Sequence, residues 1–557
     1  MKFVALLLTS VAVMTAQTPF DALVDQYFND YFHLNPTAAT AAGFHQPYDG
    51  QLEDYSRAGT EKQIALDKKY LSQFGKMPQS DDRDWVISHL HGDLLNQETI
   101  RQWEKNPDVY SSGVTNSIFG LISRKFAPPD ERLRDVISRE RQIPQVFQDA
   151  KRVLKNPPQI YSEVALEQLP GIQSFFESDV PAAFTDVKDQ SLLAQFHQTN
   201  QATIDALKQY EGWIKTDLLP RSHGDFRIGA DAYHQKVRYD EMVDLPLDQL
   251  LARGYQNLHE NQQKLVELCK EIDPHKTPSQ IAEGYEKDHP APDKLLKSFR
   301  NTFDGLIGFI NTRQIIMIPG TTRPILEETP PFMRALTTAS MDTPGPYEKV
   351  ATESYFNVTL PEKNWPAHRV EEFMTAFNRG TIASTAIHEA YPGHFVQLLW
   401  FQKVNSKVRK LIGCGSNIEG WAHYTEQMML DEGYGNGDPG LKVGQLLDAL
   451  LRNCRYIVGI EMHTGKRSFD QGVDFFVKEG YMSRDYATRE TKRGTSDPTY
   501  LVYTLGKLEI LKLREDYKTK MGANYSLEKF HNEFMQQGGV PIELIRHTML
   551  GDNSPTL

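Results

Sequence analysis

The residues best suited to chemistry stand together at 386–395, "AIHEAYPGHF", where His388, Glu389 and His394 combine two metal-ligating imidazoles with a carboxylate. A helix carrying His-Glu-x-x-His turns both imidazoles onto one face, where they hold zinc while the glutamate serves as general base. Here the position four residues after His388 is Pro392, and the second histidine comes two residues later. Each helical residue advances about 100°, so a residue six positions on lies about 240° away, on the opposite side. A straight helix therefore fails. Pro392 removes a backbone donor and crowds the carbonyl of His388, and Gly393 tolerates unusual dihedrals. With helical flanks on both sides, "TIASTA" and "FVQLLWF", the expectation is a single helix deformed by a kink or bulge that swings His394 back.

Catalytic zinc commonly takes two histidines and a glutamate, leaving one position open. The best supplier of the carboxylate is "SNIEGWAHYTEQMMLDEG", read as a helix from Ser416 to Gly433 with Glu419, His423 and Glu426 on one face. Ser416 and Glu419 also stand at capping-box spacing, so the pattern leaves both Glu419 and Glu426 open as the ligand. Hydrolysis also needs a donor to the developing oxyanion, which a tyrosine hydroxyl or an imidazole N–H supplies. In "SDPTYLVYTLG", Asp497 as N-cap and Pro498 at the first helical position predict a helix with Tyr500 and Tyr503 one turn apart. His463 falls in the last turn of a long amphipathic helix ending near Gly465. Arg452 and Arg493 suit bidentate binding of a substrate carboxylate.

The elements that must position these groups are mostly helices. From Phe20 to Phe299 apolar residues recur at three and four spacing, interrupted by breakers such as "FAPPDE" and "KNPPQ". Between Ile315 and Pro361 the short runs "QIIMIP" and "SYFNVTLP" among many prolines predict a small sheet, and helical periodicity returns from Val370. The expected fold is mainly α, two helical lobes around a cleft with a small β-sheet beside the metal-binding helix. The expected division is a signal peptide at 1–16, an N-terminal helical lobe at 17–300 and a catalytic lobe at 301–557.

A chain of 557 residues with 39% hydrophobic content can bury a large core. A net charge of −12 carries no nucleic-acid footprint. "MKFVALLLTSVAVMTA" reads as a secretory leader too short to span a bilayer, with no cysteine after it for lipid attachment, so the expected location is periplasmic or secreted. The three cysteines, Cys269, Cys414 and Cys454, form no Cys-x-x-Cys pair, so a transition-metal site must use His, Asp and Glu. Nothing in the sequence sets the oligomeric state.

The His-Glu-x-x-Pro-Gly-His stretch followed by Glu-Gly-Trp-Ala resembles domain-of-unknown-function family 885, a group of largely uncharacterised secreted, metallopeptidase-like bacterial proteins. "NPTAATAAGFHQPYDGQLEDYS", "FRIGADAYHQKVRYDEM" and "DPTYLVYTLGKLEILKLRED" extend the likeness over most of the chain. More distantly the site is similar to thimet oligopeptidase-type gluzincins. That likeness implies Glu419 as the third ligand of one Zn²⁺, with Glu426 and His423 behind the ligating histidines. It also implies Glu389 as the base that takes a proton from water, and Tyr503 and His463 as catalytic donors. His463 departs from the family's Asp-x-Gly-x-His pattern, because Gly459 and Glu461 replace its Asp and Gly. The helix, sheet, helix order resembles thermolysin-like peptidases, which implies an edge strand carrying Tyr355 and Asn357 that pairs with an extended peptide, with Arg493 and Tyr500 also lining the substrate site. The expected activity is zinc-dependent hydrolysis of short peptides. The alternatives are a zinc amidohydrolase acting on a non-peptide or cell-wall amide, and an inactive binding protein.

Overall fold

The computed structural model describes residues 18–557 except 331, 332, 335 and 336; the expected leader at 1–16 lies outside the described residues. Helices begin where the sequence supplies caps. The Thr18 hydroxyl accepts from the Asp21 amide while the Asp21 carboxylate reaches back to Thr18, opening helix Pro19–Leu34. That helix buries Leu23, Val24, Tyr27 and Phe28, the three-and-four pattern of one apolar face. The result is a mainly helical fold with a small three-stranded sheet. Among the described residues no helix is long and apolar enough to cross a membrane.

The packing does not divide near residue 300. One core joins Tyr27, Tyr70 and Trp85 near the N terminus to Phe356, Phe395 and Trp421 far along the chain. Polar contacts repeat that link: Trp85 Nε1 donates to the Ile412 carbonyl at 3.2 Å, and Arg409 pairs with Asp82 at 2.6 Å. A second core collects residues between Tyr110 and Leu218 together with Ala351. A third packs Tyr233, Leu250 and Leu258 against Leu450, Ile457 and Leu505. There the helices Leu247–Ile272 and Pro439–His463 are pinned by buried amides, with Asn261 donating to Asn453 at 2.8 Å and Asn453 to Asn257 at 2.9 Å. Hydrophobic burial thus runs between distant segments, and sequence proximity is a poor guide to which helices share a core.

The sheet is built from β1 (Ile325–Glu328), β2 (Ala339–Asp342) and β3 (Tyr355–Val358) in the order β1-β3-β2. β1 runs parallel to β3, and β2 antiparallel to it. "SYFNVTLP" supplies β3 as expected, but "QIIMIP" is not a strand. Its backbone groups are taken by side chains instead. The Ile315 carbonyl accepts from His531 Nδ1 at 2.7 Å, the Met317 carbonyl from Trp400 Nε1 at 3.0 Å, and the Met317 amide donates to Asn532 Oδ1 at 3.0 Å. A buried backbone needs partners, and a ladder is only one way to supply them.

Candidate metal centre

Asn378 caps helix Arg379–Glu389 by accepting from the amides of Gly380 and Thr381, each at 3.0 Å. The helix then stops, and a new one, His394–Phe401, begins at the second histidine. This corrects the expectation of one deformed helix. The amides of Ala390 and Tyr391 both reach the Ala386 carbonyl, and the Gly393 amide reaches the Ile387 carbonyl at 2.9 Å, folding the turn back onto the helix end. A Cβ on Gly393 would sit 1.7 Å from the His388 carbonyl oxygen, so this approach requires glycine. Trp421 Nε1 donates to the Pro392 carbonyl at 2.9 Å and holds the turn from the neighbouring helix. The two imidazoles end 4.8 Å apart between centroids and nearly perpendicular, at 88°.

Helix Gly415–Asp431 brings the carboxylates. The Nε2 atoms of His388 and His394 lie 3.5 and 3.4 Å from the same Glu419 oxygen, and these three residues form a group able to hold a metal ion. The capping role open to Glu419 in the sequence is filled by Glu241, whose carboxylate accepts from the Ser416 amide at 2.7 Å and from Cys414 Sγ at 3.0 Å. Glu426 is fully buried and works differently. It accepts from His388 Nδ1 at 2.7 Å, from His423 Nδ1 at 3.0 Å and pairs with Arg452 at 3.0 Å. By holding the Nδ1 proton of His388, Glu426 turns Nε2 toward Glu419, the orientation a metal ligand needs. Burial alone would push the carboxyls of Glu419 and Glu426 upward. The facing histidines, and for Glu426 first of all Arg452, outweigh it and hold both well below the ordinary range. For His388 burial is likewise outweighed, here by its hydrogen bonds to Glu419 and Glu426, and its pKa rises to about 9. Glu389, half-buried at the helix end, is raised by burial against the pull of His388 and His394.

Helix Val502–Met521 crosses the Glu419 helix at a glycine pair. A Cβ on Gly420 would lie 2.4 Å from Gly506 Cα, and one on Gly506 would lie 1.7 Å from the Ser416 carbonyl oxygen. The close crossing brings Tyr503 to the site, its ring stacked 6.4 Å from that of His388. Its hydroxyl accepts from Arg493 at 3.2 Å. The His388 helix meets helix Pro439–His463, which carries Arg452, in the same manner, Gly444 lying against the backbone of Gly380.

Other expected residues stand elsewhere. The His463 ring is buried, donates from Nε2 to the Gly494 carbonyl at 2.7 Å and packs edge-on against Phe226, so the structure does not bring it to the metal group. Burial lowers its pKa to about 4. Tyr500 precedes its helix instead of lying in the first turn, because the helix begins at Val502 and not at Pro498. It is 1% exposed, and a Cβ on Gly494 or Gly459 would strike its ring system, which marks it as a packing residue between two helices. Tyr355 and Asn357 lie on β3, the central strand, so both sides of that backbone are already paired and no peptide can add to it. Tyr355 lies under the Arg124 guanidinium, and Asn357 is buried. Sequence reasoning missed Glu241, Asp448 beside Arg452, and the bidentate Arg455–Glu490 pair at 2.6 and 3.0 Å. No local spacing marks Glu241 or the Arg455–Glu490 pair, since their partners lie on other helices, whereas Asp448 stands four residues before Arg452 on one helix face, a spacing the sequence displays.

Solved structures share this fold, among them these two. A candidate lipoprotein of unknown function from Shewanella oneidensis is 26% identical, with a TM-score of 0.79 over 96% of this chain and 100% of its own. A candidate lipoprotein from Colwellia psychrerythraea is 16% identical, with a TM-score of 0.75 over 96% of this chain and 99% of its own, and shows the fold alone. No curated protein matches the chain. Residues 36–549, which include every residue of the metal group, match the family described as bacterial proteins of unknown function, DUF885, and the chain belongs to that family.

Proposed function

We propose that this chain is a zinc-dependent peptidase acting on short peptides outside the cytoplasm. The observation that carries the reading is the convergence of His388 Nε2 and His394 Nε2 on one Glu419 oxygen, with the opposite nitrogen of His388 held by Glu426. Two imidazoles and a carboxylate are the donor set of a catalytic zinc site with an open position, so the residues fit that ion. When bound, such an ion polarises a carbonyl and lowers the pKa of water. Glu389, next in sequence to His388, accepts the proton of the attacking water and passes it to the departing amine. The Tyr503 hydroxyl accepts from Arg493, which leaves its own proton free to donate to the oxyanion that develops on the substrate carbonyl. Glu426, pinned by His423 and Arg452, keeps His388 in the tautomer that presents Nε2. An extracytoplasmic location agrees with the leader-like residues 1–16 and with the description of both structural relatives as candidate lipoproteins.

The test is elemental analysis together with hydrolysis of a mixed peptide library, with and without chelator, by the wild type and Glu389→Gln. The expected result is about one zinc per chain in both proteins and cleavage that chelation abolishes. Glu389→Gln should cut the rate by about 10²- to 10⁴-fold. Undiminished cleavage by that variant, or a chain that takes up no metal, would overturn the proposal.

A further inference from the structure

Three guanidiniums surround the Tyr503 ring: Arg455 at 5.1 Å from its centroid, Arg452 at 5.9 Å and Arg493 at 6.0 Å. Two of them are committed. Arg455 is buried and bidentate on Glu490, and Arg452 is held by Glu426 at 3.0 Å and Asp448 at 3.6 Å. Arg493 differs from both. Its carboxylate contact is Asp497 at 3.3 Å, a pair in which both side chains are about a third or more exposed, at 34% and 41%. An exposed ion pair of this kind contributes little and yields readily to a better acceptor. Arg493 also donates to the Tyr503 hydroxyl, which ties its position to the group beside His388, while the charge of the nearby Glu490 is taken up by Arg455.

We infer that Arg493 anchors the free α-carboxylate of a peptide's C terminus, so that the site removes residues from the carboxy end. This rests on the peptidase reading above and narrows its substrate class. From the His388 ring to the Arg493 guanidinium the path runs through Tyr503 in steps of 6.4 and 6.0 Å. An extended chain advances about 3.5 Å per residue, so the anchor lies within about three residues of the bond presented to the metal group. A planar guanidinium with unused donors matches a carboxylate through two parallel hydrogen bonds, which an amidated terminus cannot reproduce. Because Arg493 also donates to Tyr503, the group that recognises the terminus and the group that serves the oxyanion are held together.

The test uses the full, zinc-loaded chain carrying Glu389→Gln, so that bound peptide is not turned over. Fluorescence anisotropy compares three N-terminally labelled neutral pentapeptides: a free acid, its amide, and the amide with glutamate at the fourth position. The free acid should bind about 10- to 100-fold more tightly than either amide. Arg493→Gln should erase that preference and Arg493→Lys retain part of it, both with unchanged zinc content and melting temperature. Equal binding of acid and amide overturns the inference. So does a preference that survives Arg493→Gln, an internal glutamate that substitutes for the terminus, or the lack of saturable binding by the free acid. Cleavage of the free acid by the chain with Glu389 intact is scored separately. Its absence beside an intact acid preference counts against the peptidase reading and leaves the anchor standing.

Discussion

His388 and His463 begin alike. Each lies in the last turn of a helix, each is buried, and each belongs to a segment packed near one of the paired tyrosines, Tyr503 or Tyr500. They end with opposite electrostatics. His388 faces the carboxylates Glu426 and Glu419, and despite burial its pKa rises to about 9. His463 donates to the neutral Gly494 carbonyl and packs on Phe226, and burial takes its pKa down to about 4. Burial is common to both, so burial does not make a histidine functional. What separates them is whether the ring's second nitrogen is aimed at other ligand atoms or left in the core, as His463 Nδ1 is, with no hydrogen-bond partner among the described residues.

The sharpest way to break this contrast is to remove each ring in turn. His388→Ala should weaken zinc binding by more than about 100-fold, since even the groups behind metal ligands are worth 10- to 100-fold. His463→Ala should leave zinc affinity unchanged and lower stability by about 2–4 kcal/mol, by opening a cavity and stranding the Gly494 carbonyl. Zinc titration and chemical denaturation of both variants check this pair of outcomes, and a loss of zinc in His463→Ala would collapse the distinction. A smaller effect is expected from Glu426→Gln, which keeps the shape but removes the charge that holds His388 Nδ1. Zinc affinity should fall by about 10- to 100-fold. If it holds at the wild-type value, Glu426 serves only to pair with Arg452 and His423.

The same contrast explains what could be read from sequence. Glu419, His423 and Glu426 were legible as neighbours because helical spacing places them on one face, whereas His388, Glu389 and His394 were legible by residue type within one short segment, helical spacing alone turning His394 away. The helix break was not legible, because it depends on Gly393 lying against the His388 carbonyl and on Trp421 reaching the Pro392 carbonyl from another helix. Nor was the choice between cap and ligand for Glu419, which Glu241 decides from 175 residues away. Tyr500 and Tyr503 look equivalent in sequence. Only the crossings at Gly420 and Gly506, and at Gly459 and Gly494, send one to the site and the other into the core. The mainly helical class was plain from periodicity, whereas β1, "ILEE", lacks the alternation that identifies a strand, and β2, "ASMD", alternates over only four residues with none β-branched or aromatic. That gap turned β3 from a central strand into an expected edge.

The mildest test separates the two histidines by pH. With a pKa near 9, His388 carries a proton at neutral pH in the metal-free chain, and its Nε2 must lose that proton to become a ligand. Zinc binding at pH 7 should therefore release about one proton, and affinity should rise about tenfold per pH unit until it levels near pH 9. Calorimetry in two buffers of different ionisation enthalpy measures the proton directly. Stability of the metal-free chain should respond in two opposite windows. The contribution of His388, raised above its unfolded value, is fully present below about pH 6.5 and is lost as pH rises through about 9. His463, lowered to about 4, is stably neutral above about pH 6.5, and its contribution is lost as pH falls toward that value. His463→Phe should remove only the share of the acid window that His463 supplies, since His423 and His531, lowered to about 3 by burial, contribute there as well. A zinc titration that releases no proton at pH 7 would mean that His388 is already neutral, and that the carboxylates facing it do not set its charge.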